Sequence, residues 1–519
     1  MSDWSMGYQT DLQYTFGYYR EINPLYARYL LTTQGFDTPD FSQGCACELG
    51  FGQGVSITMH AAGSTTKWYG NDFNPAQVNY AQHLAKYGKV EVMLSDESFG
   101  DFADRDDLPM FDFICLHGIW SWISPENQNY IIEFARRHLK IGGIFYVSYN
   151  VSPGFIAFEP VRHLMSELNK HMLATKADAQ DKLAIIKQYL EQIVAVEPSF
   201  IKVMPGVAKR IEDTLTKDYH YLVGEYLNTF WDITHHSVLC ERLQAAKLDF
   251  ACSATGTELM DSLNLTAEQQ QFLAQFKGGP LYESSRDFIV NQQFRRDFFI
   301  KGPRKLTKVE HTRRYNELAL VLIAPGKNVT YEVKTRLGTA SLIQEIYKPL
   351  VEFLDDNEPH TIGQLKEHFL DNKKFPQFTE AKLLEAINTL VFTGTCAPAV
   401  MKDTIDPKSI KQCLDLNLAI INETDDSTVN FLASPVLQGG VIVGDVGLKA
   451  LQVYLNNNRP KDKKVLINCL LDYFADPDHT LNKEGKPVTD RKEQKEIVSK
   501  LATRFYEDQL KVYQNLMLI

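Results

Sequence analysis

Paired cysteines, long apolar runs and clustered basic charge are what this 519-residue chain lacks. Its eight cysteines (Cys45, Cys47, Cys115, Cys240, Cys252, Cys396, Cys413, Cys469) never fall into the CxxC spacing of a zinc site or redox dithiol, so reduced, partly buried thiols are expected. No run approaches the roughly 18 to 20 apolar residues of a membrane helix, which argues against membrane insertion. The N-terminal "MSDWSMGYQTDLQYTFGYYRE" has neither the basic start nor the apolar centre of a signal peptide, and a cytoplasmic protein is expected. The formal net charge is −11, and the densest basic cluster, "RPKDKK" (459–464), reads as a solvated loop. Nucleic-acid binding, which rests on counterion release by clustered Lys and Arg, is thereby disfavoured. Short internal repeats and low-complexity tracts are absent too.

What is present is a globular composition, 44% hydrophobic and 23% charged, in a chain long enough for about three to four domains. Over residues 1–155, strand-like and helix-like segments alternate: "GCACELGF", "GVSITMHAAG", "KWYGNDF", "NPAQVNYAQHLAKYG", "VEVMLSD", "FDFICLHG", "NQNYIIEFARRHLKIGG", "IFYVSYN". This βαβα rhythm predicts an α/β fold with a parallel, doubly wound, Rossmann-like sheet. Residues 156–245 turn helical, and strand-like "KLDFACSA" and "QFRRDFFIKG" return within 246–302. A helical insertion that interrupts the sheet, followed by its completion, is the expectation. Residues 303–400 carry three short helical segments leading into a β-rich turn, a winged-helix-like unit. Its candidate reading helix bears Glu380, Lys382 and Glu385, a poor surface for phosphates. Residues 401–519 mix a Gly-rich segment with a long amphipathic helix and are read as an α+β C-terminal domain.

The stretch "CELGFGQG" (47–54) raises the question of a cofactor. A dinucleotide fingerprint needs glycine at position 55, which is Val55. The pattern present is ExGxGxG (Glu48, Gly50, Gly52, Gly54), that of the S-adenosylmethionine loop in class I methyltransferases, where glycines let the backbone approach the ligand. Asp72 falls at the end of the second strand, where a carboxylate can accept from both ribose hydroxyls; the alternative is a helix cap before Pro75. Asp96, ending the third strand, is placed for the adenine amino group, with ordinary turn chemistry as its alternative.

The segments "YTFGYYREINP", "ACELGFGQG", "WYGNDFNPAQ", "LHGIWSWIS", "YVSYNVSPG" and "DFIVNQQFRRDFFIKG" together resemble bacterial class I methyltransferases that carry a methyltransferase regulatory domain. Best known among these are rickettsial-type protein lysine methyltransferases that act on outer-membrane proteins. "FLASPVLQGG" in the C-terminal part is also similar. The resemblance implies a Rossmann-like core, an insertion that forms a homodimer, and C-terminal domains bounding a large cleft. It also implies that Glu48, Gly50, Gly52, Gly54, Asp72 with its neighbours Phe73 and Asn74, and Asp96 line the cofactor site. His117 and Gly118 are expected near the methionine end, and Tyr14, Phe16 and Tyr18 on a covering N-terminal segment.

For the acceptor, Tyr149 and Asn150 follow the fifth strand, where strand ends deliver side chains to the crevice. Tyr149 is a candidate to accept the amine's hydrogen bonds, or a half-buried aromatic at a strand end. His117 is a candidate proton acceptor. Trp120, Trp122 and Tyr19 are candidate walls of a substrate cleft, with core packing as the alternative. Adjacent His235 and His236 lie about 100 degrees apart on a helix and cannot share one metal, so no metal site is expected. The leading reading is S-adenosylmethionine-dependent methylation of exposed lysines on an unfolded surface or outer-membrane protein. Methylation of a small molecule or other nucleophile, and a non-catalytic cofactor-binding regulatory protein, stand as alternatives.

Overall fold

The computed structural model describes residues 15–172, 179–216, 222, 228, 230–423, 429–476, 479, 481–483 and 486–519. Tyr14 lies outside the described residues. Seven strands make one sheet: β1 (Cys45–Leu49), β2 (Lys67–Asn71), β3 (Val92–Ser95), β4 (Phe111–Leu116), β5 (Leu139–Asn150), β6 (Leu248–Ser253) and β7 (Phe294–Lys301). Their spatial order is β3-β2-β1-β4-β5-β7-β6. The first five pair in parallel, while β7 runs antiparallel to both β5 and β6. The seven segments expected from sequence are these seven; the reversal of β7 departs from an all-parallel sheet.

Parallel strands buried on both faces read as apolar runs, and "FDFICL" of β4 is buried throughout. Period-two alternation sends Ala46, Phe113, Tyr146 and Phe298 into one core, and Cys47, Ile114, Phe145 and Phe299 into the other. Helices α1 (Pro24–Thr33), α2 (Val55–Gly63), α3 (Pro75–Tyr87), α4 (Phe99–Ala103) and α5 (Pro125–His138) flank the sheet or its edge segments. Asn23, Asn74 and Ser124 cap α1, α3 and α5, each with proline just inside. Between β5 and β6 stand α6 (Glu159–Met172), α7 (Ala179–Ala195), α8 (Ser199–Val203) and α9 (Gly206–Leu215). They have their own core, which includes Phe158, Met165, Ile186, Leu190 and Ile211.

Beyond β7, helices Gln344–Leu354, Ile362–Leu370 and Glu380–Phe392 accompany a three-stranded antiparallel sheet made by His360–Thr361, Ala319–Leu322 and Cys396–Ala399. Further on, the hairpin Phe431–Ser434/Gly439–Ile442 docks against α2. A Cβ on Gly439 would stand 2.2 Å from the Tyr18 hydroxyl, and one on Gly63 about 3.0 Å from the Gln438 backbone, so the glycines of "LQGG" permit this approach. Among the described residues, no helix is long and apolar enough to cross a membrane.

A buried ion network joins β5, β7 and the helices His236–Leu243 and Pro280–Val290. Arg295 donates to Asp287 at 2.6 Å, Asp297 at 2.8 Å and Glu283 at 2.9 Å. Tyr149 donates its hydroxyl to Asp297 at 2.6 Å and lies 2.9 Å from His236 Nδ1. Burial alone would raise the Asp297 pKa, but Arg295 and His236 together hold it below the usual carboxylate range. Removing the cation leaves buried carboxylates uncompensated. Arg295→Ala is expected to lose about 3–5 kcal/mol of stability, and Tyr149→Phe about 1–2 kcal/mol. Urea unfolding followed by circular dichroism checks both, and equal losses would contradict the charge argument.

Candidate active site

The cleft opens where the carboxyl ends of β1 and β4 meet, the crevice in which open α/β sheets bind ligands. Gly50, Gly52 and Gly54 all adopt left-handed φ, at 70°, 58° and 70°. A Cβ on Gly54 would come within 2.4 Å of Ala81 Cβ, so this glycine sets the packing of α2 on α3. At Gly52 a Cβ would meet nothing within 4 Å, which leaves backbone facing open cleft. The N-cap of α2 is Gly54, without a side-chain cap, so the first turn of that helix keeps its partial positive charge for a ligand.

Asp72 accepts from the Gly52 amide at 2.9 Å and the Asn74 amide at 3.0 Å. Gln77, with its amide nitrogen turned inward, donates to both Asp72 oxygens at 3.0 and 3.1 Å. Burial raises the Asp72 pKa to about 6 despite these amides. Burial and the nearby Asp72 push Glu48 up to about 8, and Glu48 Oε2 is buried without a hydrogen-bond partner. A second orphan, the Asn150 side-chain nitrogen, is buried in the same cleft. Gln53 Oε1, Asn71 Oδ1 and Arg296 Nε are likewise buried without partners among the cleft residues, and since unsatisfied buried polar atoms are costly, their gathering in one cleft marks where a polar ligand fits. An adenosyl group with an amino-acid tail suits this set: carboxylates for hydroxyls and ammonium, glycine backbone for close approach.

The cleft measures about 1640 Å³. Of the residues expected from sequence, Glu48, Gly50, Gly52, Gly54, Asp72, Phe73, Asp96, His117, Gly118, Asn150, Tyr19 and Trp122 line it. Tyr19 stacks on His117 at 3.9 Å, and Trp122 on Trp231 at 6.0 Å. His117 Nδ1 lies 2.7 Å from the Tyr146 hydroxyl, and burial together with the Arg296 charge pushes its pKa down to about 3. The imidazole is therefore neutral at pH 7 and a weak proton acceptor.

Five expected residues do not line the cleft. Tyr149 points to the opposite sheet face, because its strand neighbour Asn150 takes the cleft side, and its hydroxyl is held in the Arg295 network. Trp120 is fully buried in the core below Arg242. Tyr18 packs between His60 and the C-terminal hairpin, where its hydroxyl lies 3.1 Å from His60 Nε2. Phe16 sits edge-on to Tyr80 at 5.1 Å, and the Asn74 side chain caps α3. Residues not anticipated include Ser98, Phe99, Phe155, Met204, Arg210 and Arg296. Only Arg296 had a signal, inside the run "QQFRRDFF".

Sheet order, reversed β7 and the glycine loop after β1 define the class I methyltransferase fold. A family model described as "predicted methyltransferase regulatory domain" matches residues 218–301, a span that contains β6 and β7. Uncharacterized protein sll1526 of Synechocystis sp. is 30% identical over 511 residues, covering 98% of each chain. Uncharacterized protein RP028 of Rickettsia prowazekii is 24% identical over 234 residues, covering 43% of this chain and 87% of that protein. The structure of PKMT2 from Rickettsia typhi in complex with AdoHcy superposes with a TM-score of 0.69 at 19% identity, covering 98% of this chain and 99% of that one. The chain belongs to the family of the Synechocystis protein, bacterial class I methyltransferases with a methyltransferase regulatory domain.

The Glu48 shift sets a pH dependence. Its folded pKa of about 8 lies above the ordinary 4.5, so folding holds a proton that the unfolded chain releases. This contribution is complete below the unfolded value and is lost as pH rises through the folded one, at up to about 1.4 kcal/mol per pH unit. Glu48→Gln is expected to gain stability relative to wild type between pH 5 and 8. Thermal melts at both pH values test this; a pH-independent difference would contradict it.

Proposed function

We propose that this chain transfers methyl groups from S-adenosylmethionine to lysine side chains of an extended polypeptide, such as a surface or outer-membrane protein before it folds. The observation that carries the reading is the cleft itself. Its volume of about 1640 Å³ exceeds the roughly 300–1,000 Å³ of a single small-ligand pocket. It runs from the glycine loop past Asn150 to α8 and α9, so a second reactant can lie beside the cofactor. Its far wall offers exposed apolar side chains beside Lys209, Arg210 and Asp213: Ile156, Val203 and Met204 are 53%, 77% and 37% exposed.

When bound, the cofactor supplies a methyl group on a positively charged sulfur. Asp72 takes the ribose hydroxyls in place of the Gln77 amide, Asp96 the adenine amino group, and Glu48 the ammonium of the amino-acid tail. Gly52 and the first turn of α2 offer backbone N–H groups. The remaining work is to hold the acceptor nitrogen in line and neutral. A lysine with the ordinary pKa of about 10.4 costs roughly 4–5 kcal/mol to keep neutral at pH 7. Burial between Trp122, Phe155 and the His117–Tyr19 stack disfavours its ammonium, as does the cationic sulfur opposite. Asn150 presents an amide for the acceptor or its backbone.

Mass spectrometry tests the acceptor, using an unfolded, lysine-containing surface-protein fragment incubated with S-adenosylmethionine, and a Lys→Arg fragment as control. Methyl additions confined to lysine are expected; none, with cofactor binding intact, would contradict lysine as the acceptor. Asp72→Ala is expected to weaken S-adenosylhomocysteine binding by about 10- to 100-fold. Calorimetry measures it, and unchanged affinity in a folded variant would remove Asp72 from the ribose role.

A further inference from the structure

Two consecutive arginines on β7 meet opposite fates. Arg295 is saturated by three carboxylates at 2.6–2.9 Å, whereas its neighbour across the pleat, Arg296, is starved. The Arg296 Nε is buried without a partner. Its NH1 lies 3.5 Å from the neutral Thr255 hydroxyl and 4.0 Å from Glu21, the outer limits for a hydrogen bond and an ion pair. The guanidinium otherwise rests over the Phe294 ring, 5.2 Å from its centroid.

Its position is fixed while its charge is unspent. The Arg296 carbonyl accepts from the Ala254 amide at 2.7 Å and the Ser253 hydroxyl at 3.3 Å, which anchors the backbone. In register, Arg296 faces Ser148, whose hydroxyl accepts from the Gly118 amide at 2.8 Å, so its side chain shares a face with the end of β4. Among the described residues lining the cleft, Lys209, Arg210 and Arg296 carry fixed positive charge, and only Arg296 comes from the sheet. Arg210 is engaged with the Gly154 carbonyl at 3.2 Å and the Phe155 ring at 4.1 Å. Glu48, Asp72, Asp96, Asp101 and Asp213 supply the same cleft with carboxylates. A ligand with one anionic group therefore finds one sheet-borne cation with donors to spare.

We propose that Arg296 is the carboxylate anchor of the cleft, binding the α-carboxylate of the cofactor's amino-acid tail while Glu48 binds its ammonium. This rests on the S-adenosylmethionine reading and makes Arg296 a determinant of cofactor selectivity. A guanidinium on a rigid strand suits a planar carboxylate, because little freedom is lost when its parallel donors engage. The clamp also fixes the tail from two sides, which orients the sulfur relative to the acceptor end of the cleft.

The experiment compares S-adenosylmethionine with decarboxylated S-adenosylmethionine, which differ at the carboxylate, by calorimetry on wild type, Arg296→Gln and Arg296→Lys, with far-UV circular dichroism to confirm folding. Wild type is expected to prefer the intact cofactor. In Arg296→Gln that affinity should fall about 10- to 100-fold, while the decarboxylated analogue binds as well or better. The two affinities should then converge, and Arg296→Lys should recover part of the preference. Equal weakening of both ligands would assign Arg296 a structural role and overturn the proposal, as would unchanged selectivity. Wild-type protein that binds neither ligand would overturn the cofactor reading, and the anchor with it.

Discussion

The pleat of the β5–β7 ladder is the constraint on which both halves of the site depend. Opposed residues share a face and neighbours alternate, so Asn150, Phe294 and Arg296 can reach the cleft only if Tyr149, Arg295 and Asp297 turn away from it. The turned-away set is polar and buried, and it is tolerable because every charge in it has a partner. A slip of one residue would exchange the faces, placing the ion network in the cleft and the cleft residues in the core. The network thus resists a register error whose cost falls on the site.

Electrostatics divide along the same line. Behind the sheet the charges converge on one cation: Asp297 stays ionised because Arg295 and His236 outweigh its burial, and only Asp287 Oδ2 is left without a hydrogen-bond partner among the described members of that network. In the cleft they are unmatched: Glu48 and Asp72 are raised by burial, and Glu48 Oε2 and Arg296 Nε have no hydrogen-bond partner. A fold organised for stability alone gains nothing from leaving these atoms unsatisfied. Their shared location, beside a glycine loop whose backbone faces open space at Gly52, is what links the geometry to a ligand with both charges on one tail.

The C-terminal third of the chain bears on the site through α2. The hairpin at Phe431–Ile442 and the helix Pro407–Asn422 pack on that helix, whose N-terminus carries the glycine loop. Tyr18 and Asn23 sit in this seam, with the Asn23 amide donating to the Leu437 and Gln438 carbonyls at 3.1 and 3.2 Å. The N-terminal segment is therefore tied at one end to the C-terminal region and, through Tyr19 on His117, reaches the cleft at the other. A single apolar core runs from the sheet into both later regions.

The features legible in the chain alone are local ones: seven strands, the helical insertion between the fifth and sixth, and the glycine–acid pattern of the loop, because periodicity and turn chemistry are short-range properties. Glu48, Asp72 and Asp96 were legible for the same reason, since each ends a strand. The remaining features depend on long-range packing. Whether Tyr149 or Asn150 enters the cleft depends on which sheet face that strand buries, and Tyr18 reads like Tyr19 until a hairpin more than 400 residues onward covers it. The direction of β7, and with it the separation of Arg296 from Arg295, follows from pairing across a long connection that no local pattern encodes.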